Sequence, residues 1–175
     1  MLTIRSAQPW DYGVIANIYN EAIATGGITM DTEPQSPADV AGWIEKFCDR
    51  ERLFVGEVAG LVVGWGVIKR YSDRPGYRVC CETSVYLTST ATGCGYGSRL
   101  QQHLLAEVES LEYRHIVVKV VTANQGSVRF HQRFGFEIVG VQKNIGFIDG
   151  VWYDVVILQY LLPKRDSQSG KNFAR

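Results

Sequence analysis

Three glycines alternate at Gly93, Gly95 and Gly97, and beyond them Leu100, Leu104, Leu105, Val108 and Leu111 share one helical face. A glycine-rich bend that opens a helix is chemically an anion site. Successive backbone N–H groups can converge there, and the helix end adds about half a positive charge. Phosphate fits that description, although glycines that merely permit a turn produce the same pattern. The flanking residues narrow the kind of phosphate. No Gly-Lys-Ser/Thr triplet follows, which disfavours a nucleoside-triphosphate loop with its lysine and magnesium-binding hydroxyl. A dinucleotide fingerprint would need glycine where Ser98 stands and an acid ending the next strand, where the chain has Val121-Thr122.

Other side chains could move protons or hold charge. Glu82 stands alone in the otherwise uncharged run from Val79 to Leu87. Burial there would raise its pKa and fit it to take a proton, directly or through water, whereas a solvent-facing strand carboxylate is the plainer reading. His131, alone on its helix, reads as a surface or packing residue, and His103 and His115 match no motif. Arg70, Arg74 and Arg78 lead up to Glu82, and a guanidinium fork suits a carboxylate, as it equally suits an ordinary surface. The cysteines are Cys48, Cys80, Cys81 and Cys94; the only close pair is adjacent, without the gap that lets two thiolates reach one zinc, so no metal site is expected.

Leu2 to Arg5 alternates as a short strand, and after Pro9 a helical stripe carries Val14, Ile15, Ile18, Tyr19, Ala22 and Ile23. Past a polar stretch from Thr25 to Gln35, Ser36-Pro37 supplies an N-cap and first-turn proline for a second helix with Val40, Ile44 and Phe47. Leu53 to Val58 and Leu61 to Ile68 predict a hairpin around Ala59-Gly60. Val79 to Leu87 is the next strand, and it runs into the glycine bend and its helix. Ile116 to Val121 is nearly all apolar, as in a strand covered on both faces near a sheet centre. A short helix from about Gln125 to Phe134 stops at Gly135, with Phe136 packing back. Two last strands, Glu137 to Gln142 and Val151 to Leu161, flank a segment that turns at Asp149-Gly150. The order predicts an α/β chain with a mostly antiparallel sheet and one parallel junction.

A chain of 175 residues, 46% apolar and 21% charged, suffices for one core. Eighteen basic residues cancel eighteen acidic ones, so no overall field gathers a polyanion, and neither nucleic acid nor a membrane is an expected partner. The segment Met1 to Ser6 lacks an apolar signal core, and no apolar run approaches the ~20 residues that span a bilayer. Unpaired thiols without an export signal give a cytoplasmic expectation.

In this order the bend, the strand Glu82-Thr83-Ser84-Val85-Tyr86-Leu87, the later Asn124-Gln125-Gly126-Ser127-Val128-Arg129-Phe130-His131 and Phe134-Gly135-Phe136 resemble the GNAT superfamily of N-acetyltransferases. Asn20-Glu21-Ala22, Asp31-Thr32-Glu33-Pro34, Gly76-Tyr77-Arg78, Ile145-Gly146 and Gly150-Val151-Trp152-Tyr153-Asp154-Val155 are similar to its branch containing phosphinothricin and methionine sulfoximine acetyltransferases. The likeness covers about Ile4 to Leu162.

The resemblance implies a GNAT-type fold, α/β (α+β): a mixed, mostly antiparallel central sheet flanked by helices, with a splayed parallel strand pair at the coenzyme site. One acetyltransferase domain would span residues 1–163, followed by a polar, frayed tail from Lys164 to Arg175. Gly93, Cys94, Gly95, Tyr96, Gly97 and Ser98 would hold the pyrophosphate of acetyl-CoA. Val85, Tyr86 and Leu87 would pair with its pantetheine arm as with an added strand. Asn124 would bond an amide of the arm, cap its own helix, or do both, with Ser127 beside it. Glu82 becomes the general base. His131 becomes the general acid or the partner of the coenzyme sulfur, where the superfamily commonly has a tyrosine and this branch a histidine. Gly76, Tyr77 and Arg78 become acceptor-binding, with Arg78 as the carboxylate hook. Trp152 and Asp154 match the branch too, although packing and a strand-end contact explain them.

The chain departs from the pattern at Thr92, where a basic or amide side chain is usual, and at Cys94, often basic. A charge-assisted hydrogen bond is worth roughly 1.5–3 kcal/mol, so weaker coenzyme binding than the family norm is expected. Ile148 replaces a common lysine, which bears on the acceptor's identity. The expected activity is direct transfer of the acetyl group of acetyl-CoA to the amine of a small acceptor, an amino acid or analogue resembling phosphinothricin or methionine sulfoximine. No histidine is positioned by motif to activate Cys94 or the Cys80-Cys81 pair, so no acyl-enzyme is expected. The resemblance also implies a homodimer. Two alternatives stay open in the sequence: a protein-directed acetyltransferase, marked by a more open acceptor groove, and a non-catalytic acetyl-CoA sensor, which would release no thiol.

Overall fold

Seven β-forming runs join one sheet in a computed structural model that describes residues 1–163; the tail expected from Lys164 to Arg175 lies outside the described residues. The strands are β1 (Leu2–Ser6), β2 (Arg52–Val58), β3 (Leu61–Arg70), β4 (Cys80–Leu87), β5 (His115–Val121), β6 (Glu137–Ile148) and β7 (Val151–Leu161), in the order β1-β2-β3-β4-β5-β7-β6. Every neighbouring pair is antiparallel except β4 and β5. The helices are α1 (Tyr12–Thr25), α2 (Pro37–Glu45), α3 (Tyr96–Ser110) and α4 (Gln125–Arg133). Among the described residues no helix is long and apolar enough to cross a membrane.

The sheet separates two apolar layers. On one face Leu104 and Val108 of α3 and Val128 of α4 pack on Ile68, Cys81, Ile116, Val118 and Leu158. On the other, Ile15, Ile18 and Tyr19 of α1 and Val40 of α2 pack on Val55, Trp65 and Val67. Each large aliphatic side chain so buried contributes roughly 1.5–3 kcal/mol. The fit of α3 depends on missing side chains: a Cβ at Gly66 would stand 3.1 Å from Leu104 Cδ1. At the start of α2, Ser36 Oγ accepts from the Asp39 amide at 3.2 Å while the Asp39 carboxylate accepts from the Ser36 amide at 2.8 Å, the capping pair that fixes where the helix begins.

One strand is longer than its pattern predicts. β6 continues past Gln142 to Ile148, because its pairing with β7 survives an irregularity between Gln142 and Gly146 and resumes with Gly146 opposite Tyr153 and Phe147 opposite Trp152. Asn144 takes a positive φ of 51° there, and Asp154 holds the irregular segment by accepting from the Asn144 amide at 2.8 Å and Lys143 Nζ at 2.7 Å. The polar run Gln142-Lys143-Asn144 interrupts the alternation and hides the strand.

Candidate active site

β4 and β5 begin as neighbours and then part. Their pairing runs from Cys80 opposite His115 only to Glu82 opposite Val117, while β4 stays paired with β3 out to Leu87 opposite Gly64. From Thr83 to Leu87 the β5-facing edge of β4 therefore has no strand partner among the described residues. A cleft of about 70 Å³ opens in the V, lined by Ser84, Val85 and Tyr86 of β4, Val118 and Val120 of β5, and Asn124, Ser127 and His131. Two buried atoms of residues at this cleft lack hydrogen-bond partners, Thr83 Oγ1 and His131 Nε2. Buried polar groups left unpaired cost stability, and an amide-bearing arm along a free strand edge offers donors and acceptors to such groups.

Beyond Leu87 a single 3-10 turn, Ser89–Ala91, leads through Thr92 to the glycine bend. Gly93 and Gly95 have φ of 77° and 79°, and a Cβ at either would meet nothing within 4 Å. The bend is open rather than filled by side chains. Gly95 is the N-cap of α3, and among the described residues no side chain bonds to the first-turn amides of Tyr96, Gly97 and Ser98. That combination fits a diphosphate. Glu21 of α1 anchors the approach, accepting from the Ser89 amide at 2.8 Å and Thr88 Oγ1 at 3.0 Å, and the Ser89 bond holds its carboxyl below the usual range. Thr92 Oγ1 donates back to Ser89 O at 2.9 Å, and exposed Cys94 has Sγ 3.7 Å from Thr92 O.

Glu82 projects from β4 on the face that carries α1 and α2. Lys69 stands directly opposite it on β3, and Lys119 lies two residues beyond its β5 partner Val117, on the same face. Lys119 Nζ donates to Glu82 Oε1 at 2.7 Å, and the Glu82 side chain is 31% exposed. Glu82 is therefore partly buried, between the two sequence readings, and its near neighbour is an ammonium. Sequence reasoning passed over Lys119, although it is the one charged side chain in the run Ile116 to Val121.

A second cleft, about 150 Å³, lies on this face between Tyr19, Asp31, Trp43, Trp65, Lys69, Ser84 and Tyr86. Ser84 and Tyr86 border both clefts, so β4 is the wall they share. The ring of Tyr86 lies 4.9 Å from that of Tyr19 and 4.6 Å from that of Trp65, and Asp31 accepts from Tyr19 Oη at 2.6 Å. Burial raises the pKa of both phenols. The apolar stripe of α1 marked Tyr19 as core; its second role follows from the loop after α1 folding back to bring Asp31 onto it.

His131 is buried, 5% exposed, at the inner end of the first cleft. Its Nδ1 lies 2.9 Å from Ser127 O, and a carbonyl only accepts, so Nδ1 carries the proton and Nε2 a lone pair. Burial lowers its pKa, opposed in part by that bond. Asn124 Oδ1 accepts from the Ser127 amide at 3.0 Å, so Asn124 does cap α4.

Gly76, Tyr77 and Arg78 lie at the opposite end of β4 from the glycine bend, in and after the 3-10 turn Pro75–Tyr77. Tyr77 reaches toward Glu82 through a ring contact of 5.4 Å with Tyr71, over which Lys119 Nζ stands at 5.7 Å. Gly76 borders open space. Arg78 instead lines a separate cleft with Arg50, Arg74 and Tyr113, and its carbonyl accepts from Arg50 Nη1 at 2.7 Å. Arg70 is directed to Glu51 and Asp73, while Arg74 and Arg78 line the cleft beside Tyr113. Burial pushes the Cys80 thiol up to about 11 and raises Cys81 as well, which leaves both protonated and weakly nucleophilic near neutral pH.

Comparison with known proteins agrees with this geometry. The family described as Acetyltransferase (GNAT) matches residues 15–136. The chain is 32% identical over 152 residues to a phosphinothricin N-acetyltransferase of Streptomyces viridochromogenes, covering 87% of this chain and 83% of that one. It is 30% identical over 162 residues to an L-methionine sulfoximine/L-methionine sulfone acetyltransferase of Pseudomonas aeruginosa, covering 90% and 92%. Its fold superposes with a TM-score of 0.89 on the crystal structure of a GNAT superfamily phosphinothricin acetyltransferase from Sinorhizobium meliloti in complex with AcCoA, at 28% identity over 98% of this chain and 94% of that one.

Proposed function

The chain belongs to the GNAT acetyltransferase family and uses acetyl-CoA as its acetyl donor, and from that premise we infer that it acetylates the α-amine of a free amino acid or close analogue. Phosphinothricin and methionine sulfoximine, named for its relatives, are the first acceptors to test. The observation that carries this reading is the meeting of two clefts across β4, one along its free edge and one among the aromatic side chains beside Glu82.

Acetyl-CoA supplies an activated thioester; the chain supplies position and proton traffic. The amides of Gly93 to Ser98 hold the diphosphate, and the free edge at Val85, Tyr86 and Leu87 aligns the arm, with Asn124 and Ser127 on its far side. Backbone N–H groups on that edge are suited to the developing negative charge on the carbonyl oxygen. Glu82, on the strand that divides the clefts, takes the proton of the attacking amine directly or through water. His131 begins with Nε2 unprotonated, so it serves the sulfur only after receiving a proton itself. The protonated state of Cys80 and Cys81 supports transfer in one step.

One catalytic domain over residues 1–163 performs this chemistry as a cytoplasmic homodimer. Four free thiols support the compartment. The exposed side chains of Ile145, Phe147, Val151 and Trp152 on β6 and β7 support the dimer.

Thiol release with acetyl-CoA and a panel of amines tests the reaction. Glu82→Gln should lower turnover by about 10²- to 10⁴-fold while acetyl-CoA affinity, read by calorimetry, stays unchanged. Equal turnover across the pH range would remove Glu82 from its role.

A further inference from the structure

Three charged side chains lie side by side on three adjacent strands: Lys69 on β3, Glu82 on β4 and Lys119 on β5. Lys69 and Glu82 are direct cross-strand partners, which places their Cβ atoms about 4.5–5.5 Å apart on one face. The two lysines differ in what they hold. Lys119 is committed to Glu82 at 2.7 Å. Lys69 is exposed, lines the aromatic cleft, and has no ion-pair partner among the described residues. Asp31, the acid that lines that cleft, is occupied by the Tyr19 hydroxyl at 2.6 Å. A free ammonium therefore stands beside the carboxylate to which the attacking amine is assigned.

We propose that Lys69 binds the carboxylate of the acceptor while Lys119 acts as a positioning residue that holds Glu82 beside it, which makes the site selective for free α-amino acids over amines that lack the acid. The proposal rests on the acetyltransferase reading above. An α-amino acid carries its amine and its carboxylate on one carbon, and Glu82 and Lys69 present the complementary pair on adjacent strands. A plain amine meets two ammonium groups around Glu82 and has nothing to offer Lys69. The role expected for Arg78 thus passes to a residue on the strand next to Glu82, since Arg78 lines a different cleft.

The test compares free L-amino acids, L-methionine sulfone among them, with their methyl esters, in the wild type and in Lys69→Met, Lys69→Arg, Lys119→Met and Lys119→Arg. Lys69→Met should raise KM for the free acids at least tenfold and change KM for the esters less than twofold, with Lys69→Arg close to wild type and acetyl-CoA affinity unchanged throughout. Lys119→Met should lower kcat on acid and ester by the same factor, and Lys119→Arg should restore it. An equal rise on acids and esters in Lys69→Met, or no rise on either, overturns the carboxylate assignment. Selectivity lost in Lys119→Met and kept in Lys69→Met overturns the division of roles. A wild type that acetylates acids and esters with equal KM refutes the hook alone; one that binds acetyl-CoA yet releases no thiol with any member of the panel refutes the acetyltransferase reading and this proposal with it.

Discussion

At the scale of single residues, His131 shows how burial and one hydrogen bond settle what a side chain can do. Its Nδ1–H is spent on Ser127 O, its Nε2 has no partner, and its folded pKa lies below the ordinary 6.5. The unfolded chain therefore takes up this proton at a higher pH than the folded one. Stability linked to His131 is present in full above the unfolded value and is lost as pH falls through the folded value. Wild type should lose melting temperature between pH 7.5 and pH 5 by more than His131→Phe does, measured in parallel thermal melts; identical slopes would mean that the imidazole is not buried neutral. His131 became a candidate only through a family likeness, and Glu82, singled out by its isolation in an uncharged strand, was preferred only through it, because one helical histidine or one strand carboxylate is ordinary. Lys69 and Lys119 gained their meaning from register, which no local pattern carries: the 37-position separation of Glu82 and Lys119 in the chain closes only when β4 and β5 pair.

At the scale of elements, the glycine bend and the helix it opens were legible in place, because alternating glycines precede an amphipathic stripe, while the pattern alone left open whether the bend serves an anion or only a turn. Gly95 requires the left-handed region, and the space beside it is open. Gly95→Ala should therefore cost the fold only about 1–2 kcal/mol, while acetyl-CoA binding, measured by calorimetry, falls further than that strain explains, because the added methyl occupies the space left for a phosphate. Thr92 now donates to Ser89 O within its own turn rather than outward. Thr92→Arg exchanges that internal bond, about 1 kcal/mol, for a charge-assisted one worth roughly 1.5–3 kcal/mol. The expected result is acetyl-CoA affinity about tenfold higher, and unchanged affinity would mean that position 92 does not face the diphosphate. The splay itself was predicted only as a consequence of the family likeness. In the sequence Thr83 to Leu87 looks like any strand, and nothing local says that its partner stops at Val117.

At the scale of the whole molecule, the alternation of strands and helices was legible because the helices bury stripes of period 3.6 and the strands are runs of β-forming residues, several of them ending at glycine turns such as Ala59-Gly60 and Asp149-Gly150. The end of the sheet was not. β6 is an edge strand of 12 residues whose polar middle disguised it, and it leaves Ile138, Val139, Val141, Ile145 and Phe147 exposed. A long apolar edge invites pairing with another chain unless charge or a covering element blocks it. Here Lys143, the one lysine on the strand, is tied to Asp154 on β7. Trp152 lies beside Phe147, their ring centroids 4.7 Å apart and both more than half exposed, which makes an apolar patch of the kind that closes a symmetric pair. If a second copy covers that patch, Trp152→Lys should place an ammonium against its own image in the partner and turn a dimer into a monomer in sedimentation velocity. The circular dichroism spectrum should stay unchanged, because Trp152 contributes little to the core. Glu82, His131 and the glycine bend all lie elsewhere on the chain, so the monomer should still bind acetyl-CoA. A wild type that sediments as a monomer at all concentrations would leave the β6 edge without the cover that its composition demands and would refute the dimer.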